Sequence, residues 1–595
     1  MEITQRLSKL RECMKVKGID MYIVPSADFH QSEYVGEFFM ARAFMSGFTG
    51  SAGTLVVTAD KAGLWTDGRY FLQAENELNG SGIELFRDGL AQTQKMIDYV
   101  YENMPEGGKL GFDGRVMSAQ SGESFAEKLK PKNASVEAAY DLVGEVWENR
   151  PPLSQKKAFS LDIKTTGEDC ASKIARVREK MKENGAQTHI LATLDDIAWL
   201  YNMRGDDVAY CPVVLAYTVI GENDGYLFID ENKLSAEMKS MLDSVSVQIR
   251  PYNDIYEFVK NIKGSVLVDK GRLNYLLLNN LSENVHKVFA TNPTIMMKAI
   301  KNSVELDNIR NAHIKDGVAV TRFMYWLKNN YDKMQLTELM AEEQMEAFRR
   351  EQEGFFQPSF HTISAFGANA AMMHYSASET SNAKIKAGEL FLIDSGGQYN
   401  DGTTDITRTY AVGEVSEALK RDYTLVLKGL INLSMAKFLY GCRGYNLDIL
   451  ARGALWKQGI DYLCGTGHGI GYILNVHEAP NGFRWRVVAD RFDSEVLEEG
   501  MVTTNEPGVY EDGSHGIRLE NELVTRKAEE NKYGQFMEFE VVTFSPVDLD
   551  AILPEMLNDD EKEYLNWYHQ TTFEKLSPHL PAEEAEWLKK YTRAI

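Results

Sequence analysis

Three runs in the C-terminal half of this 595-residue chain gather acids and histidines where strands end and turns begin. In LFLIDSGGQYNDGTTDITRTY an apolar strand ends at Asp394, a glycine turn follows, and a second strand opens at Asp405, eleven residues on. Read as a hairpin, the run lets two carboxylates face one another across paired strands. Taken singly, each Asp also fits a turn-capping role, and Asp401, in an Asp-Gly pair, fits it best. In DYLCGTGHGIGYILNVHEAP, His468 stands between glycines that admit a close backbone or ligand, and His477 lies nine residues further. In MVTTNEPGVYEDGSHGIRLENELVT, Glu506 follows a strand, while Arg518 and Glu520 sit two apart on another strand and share a face. The bland role for Arg518 is a surface ion pair. Five of the eleven histidines (His361, His374, His468, His477 and His515) fall within these runs or near them.

As a set, Asp394, Asp405, His468, Glu506 and Glu520 offer four carboxylates and one imidazole. So much negative charge repels itself unless cations neutralise it. Carboxylate-rich ligation suits a hard ion such as manganese, and the imidazole also admits cobalt, iron or zinc. Five such ligands can hold two ions about 3.5–4 Å apart, which would activate a water and polarise a carbonyl.

The elements that must position these residues make up the last of three segments. The first, 1–159, alternates helices and strands: an amphipathic N-terminal helix, strands near 21–24, 53–57 and 63–66, and a helix near 90–102. A Pro- and charge-rich connection at 147–157 reads as a linker. The second, 160–302, echoes the first: VPSADFHQSEY, SGFTGSAGTLVVT and GLWTD find counterparts in LATLDDIAWLYNMRG, CPVVLAYTVI and GYLFID. The third, 303–595, opens with a long helix over 303–329 and a second over 336–350. Short strands follow, among them 390–393, 407–411 and 541–544, interrupted by helices at 416–438 and 446–457. Two amphipathic helices broken at Pro578 and Pro581 come last. The expected fold class is therefore α/β (α+β), with two related N-terminal α/β domains ahead of a C-terminal catalytic domain.

Composition narrows the rest. A net charge of −23 argues against nucleic acid as a partner, because phosphate binding needs a basic surface. No apolar run approaches the roughly 20 residues of a membrane span, and the N-terminus lacks a signal-peptide core, so a cytoplasmic location and no membrane partner are expected. Five scattered cysteines with no CxxC pair disfavour a disulfide framework or a thiolate zinc site.

The motifs DSGGQYNDGTTDITRT, GTGHGIG, NVHEAP, NEPG and GIRLEN, in this order and spacing, resemble those of the creatinase/methionine-aminopeptidase "pita-bread" metallopeptidase family. With YIVPS, WTDGRYFLQ and LDDIAWLYN upstream, the whole chain is similar to the family's three-domain Xaa-Pro aminopeptidase branch. The resemblance implies a hydrolase that removes the first residue of a peptide whose second is proline, with a metal-bridging hydroxide as nucleophile. It implies Asp394, Asp405, His468, Glu506 and Glu520 as ligands of two ions, most naturally Mn²⁺, with Asp405 and Glu520 bridging. It further implies Glu506 as a proton relay, His374 and His477 as residues that handle substrate and protons, Arg518 near the substrate, and Arg69 as a substrate-contacting arginine from the N-terminal domain. An ordinary structural arginine is the alternative for Arg69. A homodimer is expected from the family alone. One position departs from the pattern: Cys464 stands where close relatives carry a histidine, and if its segment is extended it lines the same cleft as His468. The competing activities are a prolidase restricted to Xaa-Pro dipeptides, with the same metal set, and a non-catalytic binding protein, which would lack ligands.

Overall fold

Apolar strands at the N-terminus pair into one six-stranded sheet: β1 (Met21–Pro25), β2 (Thr54–Thr58), β3 (Ala62–Thr66), β4 (Glu84–Arg87), β5 (Lys109–Gly111) and β6 (Ser135–Glu137), in the order β4-β3-β2-β1-β5-β6. Helix α1 (Ile3–Lys17) buries Leu7, Leu10 and Met14, one stripe of an amphipathic helix, and stops at Gly18 with φ +63°. A computed structural model describes residues 1–488 and 491–595.

A second sheet repeats the first. β7 (Thr188–Leu191), β8 (Tyr217–Gly221), β9 (Gly225–Phe228), β10 (Val247–Arg250), β11 (Ser265–Val268) and β12 (His286–Phe289) run in the order β10-β9-β8-β7-β11-β12. The senses of pairing match strand for strand. In each sheet the first three strands in sequence pair antiparallel and the other three join in parallel. The echo read in the sequence is therefore a repeat of topology. Helix α2 (Cys170–Glu183), capped by the Asp169 side chain on Ser172 N–H, opens the second copy.

The chain divides into two units, Met1–Ile163 with Glu168–Thr294, and Lys164–Gly167 with Ile295–Ile595. The second unit begins with α3 (Ser303–Asn330), whose Asn302 and Glu305 form a reciprocal capping box, followed by α4 (Glu338–Arg350). A small antiparallel sheet of β13 (Ile363–Phe366), β14 (Glu389–Ser395) and β15 (Ile406–Val412) has β14 at its centre; six of that strand's seven residues are buried, as its continuous apolar run requires. Helices α5 (Glu417–Ser434) and α6 (Gly444–Trp456) pack on further strands: β16 (Lys437–Leu439), β17 (Gly467–Gly469), β18 (Glu478–Phe483), β19 (Val502–Asn505), β20 (Gly508–Glu511), β21 (His515–Arg518), β22 (Asn521–Asn531) and β23 (Gly534–Val541). Six of them form an antiparallel sheet in the order β16-β23-β22-β19-β17-β18, and β20 pairs with β21. Helices α7 (Asp559–Leu576) and α8 (Ala582–Tyr591) close the unit, separated by a short 3₁₀ turn at Ser577–His579.

Four element readings need correction, the first being the helix expected over 416–438, which is Glu417–Ser434 with its last expected residues in β16. The helix expected over 90–102 is Met96–Asn103, because its first residues are spent in turns. The strand expected at 541–544 ends at Val541, and Val542 leaves the ladder although its N–H still reaches the Glu522 carbonyl. Glu520 lies in the two-residue junction between β21 and β22 and not on a strand.

Candidate metal centre

The register of β14 against β15 sets the first two acids. Asp394 pairs with Thr407, and Ser395 with Ile406, so Asp405 lies just beyond the ladder. Asp394 and Asp405 are thus diagonal rather than directly opposed, because a separate ribbon over 397–403 replaces the expected simple hairpin turn. Asp405 shares a face with Thr407, two residues on, and therefore with Asp394.

His468 comes from the opposite sheet, at the centre of β17, where the pairing with β18 shifts register. Gly467 beside it is required sterically, since a Cβ there would sit 1.8 Å from the Thr504 carbonyl oxygen. The His468 Nδ1 is 3.0 Å from the Gly469 carbonyl oxygen. A carbonyl only accepts, so Nδ1 carries the proton and the Nε2 lone pair points at carboxylates, 3.4 Å from Asp405 Oδ2 and 3.6 Å from Glu506 Oε1. Ligating histidines in metal sites are oriented in this way. Glu506 follows β19 and is fixed by its N–H, which donates to the Thr466 carbonyl at 2.7 Å. Glu520 receives the Thr407 hydroxyl at 2.8 Å, and Thr407 in turn accepts Arg518 Nε at 3.1 Å.

One oxygen each of Asp405 and Glu520 and one ring nitrogen of His468 lie within 4.8 Å of one another. Asp394 Oδ1, Asp405 Oδ1 and Glu520 Oε1 are buried without a hydrogen-bond partner. Burial, then the charges of Asp394 and Glu506, pushes the Asp405 carboxyl well above the usual carboxylate range. Burial, then Asp405 and Glu506, does the same to Glu520. Partnerless oxygens, mutual repulsion and an aimed imidazole lone pair together make a donor set that fits divalent cations.

Among the described residues, the guanidinium hydrogen-bonded to a carboxylate of this set is that of Arg518, which is buried and donates to Asp394 Oδ2 and to the Tyr510 hydroxyl at 2.7 Å. The surface ion pair read for Arg518 is instead an interior one. His477 stands edge-to-face against His468, ring centroids 4.3 Å apart. His374 is half-buried and follows Met373, whose carbonyl accepts Arg518 Nη2 at 3.4 Å. Cys464 lies in a bend and not on an extended strand. Its carbonyl accepts Arg452 Nη2 at 2.6 Å, and burial, with the Glu506 charge next, pushes its thiol up to about 11.

Other residues singled out in the sequence have partners of their own. Arg69 is in the other unit, its guanidinium held by Asp67 at 2.9 and 2.8 Å. Asp401 accepts Lys315 Nζ at 2.7 Å, so the turn residue also ties its turn to α3. His515 faces Asp422 at 3.3 Å, and His361 lies 3.9 Å from Glu342. Sequence reasoning missed Glu522 and His313. Glu522 is fully buried, accepts the Asp405 N–H at 2.8 Å and faces His313 at 3.1 Å. Its alternation with Glu520 in LENE was the available signal.

Comparison with known proteins covers the whole chain. Residues 307–527 match metallopeptidase family M24 and 535–595 its C-terminal region. Residues 6–145 and 149–305 each match the creatinase/prolidase N-terminal domain. Aminopeptidase P2 of Arabidopsis thaliana is 38% identical over 634 residues, spanning 100% of this chain and 89% of the relative. Xaa-Pro aminopeptidase 1 of Dictyostelium discoideum is 38% identical over 615 residues, spanning 100% and 97%. The crystal structure of X-prolyl aminopeptidase from Caenorhabditis elegans, described as a cytosolic enzyme with a di-nuclear active site, superposes with a TM-score of 0.95 at 33% identity over 100% of both chains. An Xaa-Pro dipeptidase from Bacillus anthracis is 25% identical with a TM-score of 0.51, 99% of it covering 64% of this chain.

Proposed function

The chain belongs to metallopeptidase family M24, with the full-length organisation of its Xaa-Pro aminopeptidases, and from that premise we propose that it is a dinuclear-metal exopeptidase releasing the first residue of peptides with proline second. The observation that carries the reading is the meeting of Asp405, His468 and Glu520 within 4.8 Å, with partnerless buried oxygens on both acids and on Asp394. In it, Asp394, Asp405, His468, Glu506 and Glu520 would hold two divalent ions, with Mn²⁺ best suited to an oxygen-rich set. Two bound divalent ions would supply an activated water and a polarised scissile carbonyl.

The residues of the chain do the rest. Glu506 takes the proton released by the attacking water, its backbone fixed by Thr466. His477, standing against His468, donates to the developing oxyanion, and His374 orients the peptide. Arg518 holds Asp394 in place by pairing with one of its oxygens. Arg69 is assigned to substrate contact. We retain three domains, 1–159, 160–302 and 303–595, the first two each built on one copy of the repeated sheet.

Proline at the second position makes the scissile bond a tertiary amide with no N–H, which calls for a dedicated site. Full-length likeness to aminopeptidases, against 64% coverage by the dipeptidase, favours the aminopeptidase over the prolidase reading. Comparing Arg-Pro-Pro, Arg-Pro and Arg-Ala-Pro decides between them. The proposal expects release of arginine from the first; turnover of Arg-Pro alone would establish the prolidase.

We further propose a cytoplasmic homodimer. No helix among the described residues is long and apolar enough to cross a membrane. Helix α6 and its surroundings expose Tyr445, Ile449, Trp456, Leu463 and Trp485, an apolar surface suited to a second copy. Light scattering should give twice the chain mass, and Ile449→Arg should reduce it to a monomer.

A further inference from the structure

A second set of buried charges lies behind the proposed ligands and is not used by the chemistry above. Glu522, the neighbour-but-one of Glu520, is fully buried and directs Oε1 at the Asp405 N–H, 2.8 Å away. The same oxygen is 3.1 Å from His313 Nε2, and His313 is buried on α3 with Nδ1 2.9 Å from the Ile309 carbonyl oxygen. Three residues along α3, and so on the same face, Asp316 pairs with Arg349 of α4 at 2.7 and 3.0 Å and accepts the Tyr399 hydroxyl at 2.8 Å. Arg349 Nη2 then donates to the Ser395 carbonyl at 3.1 Å, one residue beyond Asp394.

One turn of α3 thus reaches the backbone beside both acids, through Glu522 to Asp405 and through Arg349 to the residue after Asp394. We infer that Glu522 and His313 are positioning residues for Asp405, and that with Asp316 and Arg349 they fix the spacing of the two carboxylates that would hold the metals. Asp405 lies just outside the β14–β15 ladder, so no strand pairing secures its backbone N–H; the Glu522 carboxylate does so instead. Burying that carboxylate is costly unless an opposite charge faces it, and the His313 ring, its Nε2 3.1 Å from Oε1 without hydrogen-bond geometry, is the group that faces it. The spacing of ligand oxygens governs metal affinity more directly than it governs folding, and outer partners of this type typically change affinity by about 10–100-fold when lost.

The inference rests on the metal reading of Asp405, and the test separates the two. Purified full-length protein is stripped and titrated with Mn²⁺ against a competing chelator, while thermal unfolding of the metal-free form reports folding. Glu522→Ala is expected to weaken Mn²⁺ binding by about 10–100-fold. Glu522→Gln, which keeps an oxygen for the Asp405 N–H, is expected to stay within about threefold of the parent, and His313→Phe to lose about tenfold. Lys233→Met breaks an equally buried pair with Asp207 in the other unit and is expected to lower stability with Mn²⁺ affinity unchanged. Unchanged affinity in Glu522→Ala would overturn the inference. So would a Glu522→Gln as weak as a ligand variant, since Glu522 would then be a ligand itself. If Glu522→Ala fails to fold, Glu522→Gln and His313→Phe decide between the same outcomes. Parent protein that takes up no metal would overturn the metal reading and this inference together.

Discussion

Arg518 Nη2 lies 2.6 Å from Asp394 Oδ2, with both side chains almost sealed from solvent. The pair neutralises one of four clustered acids and leaves Asp394 Oδ1 partnerless. Breaking a buried pair from one side costs about 3–5 kcal/mol, because the remaining charge stays buried and unpaired. Arg518→Met should therefore lower the Tm of the metal-free protein, and saturating Mn²⁺ should recover much of the loss by pairing Asp394 again. Calorimetric scans with and without metal check this.

Asp405→Asn removes one carboxyl from a crowded buried set with almost no change in volume. It should abolish metal uptake and hydrolysis while the metal-free fold stays at least as stable as the parent. Asp401→Asn, four residues earlier, weakens a partly exposed pair with Lys315 and should cost at most about 1 kcal/mol, with metal content unchanged. Elemental analysis and unfolding curves separate the two variants.

The raised carboxyls of Asp405 and Glu520 give the metal-free protein a characteristic pH response. In the unfolded chain these acids titrate near pH 4, whereas in the fold they hold their protons to higher pH. Between those limits the folded state binds more protons, so stability falls as pH rises. Metal-free protein should be more stable at pH 5 than at pH 8 from this source, and bound Mn²⁺ should flatten or reverse the slope. Tm measured against pH in both states tests the sign.

The Cys464 thiol, pushed up to about 11, is neutral at physiological pH. It cannot serve as an acid–base group there. Cys464→Ala should cost less than about tenfold in kcat/KM, whereas His477→Ala should cost the ~10²–10⁴ of a lost proton-transfer residue. A fully metallated Cys464→Ala enzyme without activity would assign the thiol a catalytic part.

Much of the fold is legible because its signals are local. The strand at β14 is a continuous apolar run, α3 carries its own capping box, and the repeat of the two N-terminal sheets follows from matched strand patterns. The acids and His468 stand out because they sit among glycines and turn residues, and at Gly467 the missing side chain is what lets the backbone approach the Thr504 carbonyl. Glu522 carried only its alternation with Glu520 in LENE, and His313 carried no sign at all. One looks like an ordinary strand residue and the other like a helical one, and only the tertiary meeting of β22 with α3 turns them toward Asp405. The offset of Asp394 from Asp405 was hidden for the same reason, since register depends on the ribbon inserted between the strands. Arg69 pairs with Asp67, two residues before it in WTDGRYF, so both partners of that contact already stood side by side in the sequence.

The central claim is that hydrolysis belongs to a pair of metal ions held by these five residues. Metal-free protein titrated with Mn²⁺ while arginine release from Arg-Pro-Pro is followed tests it most directly. No turnover is expected at the start, with activity rising to a plateau at two ions per chain, whereas Asp405→Asn should stay inactive throughout the titration. Undiminished turnover by exhaustively metal-free protein would contradict it.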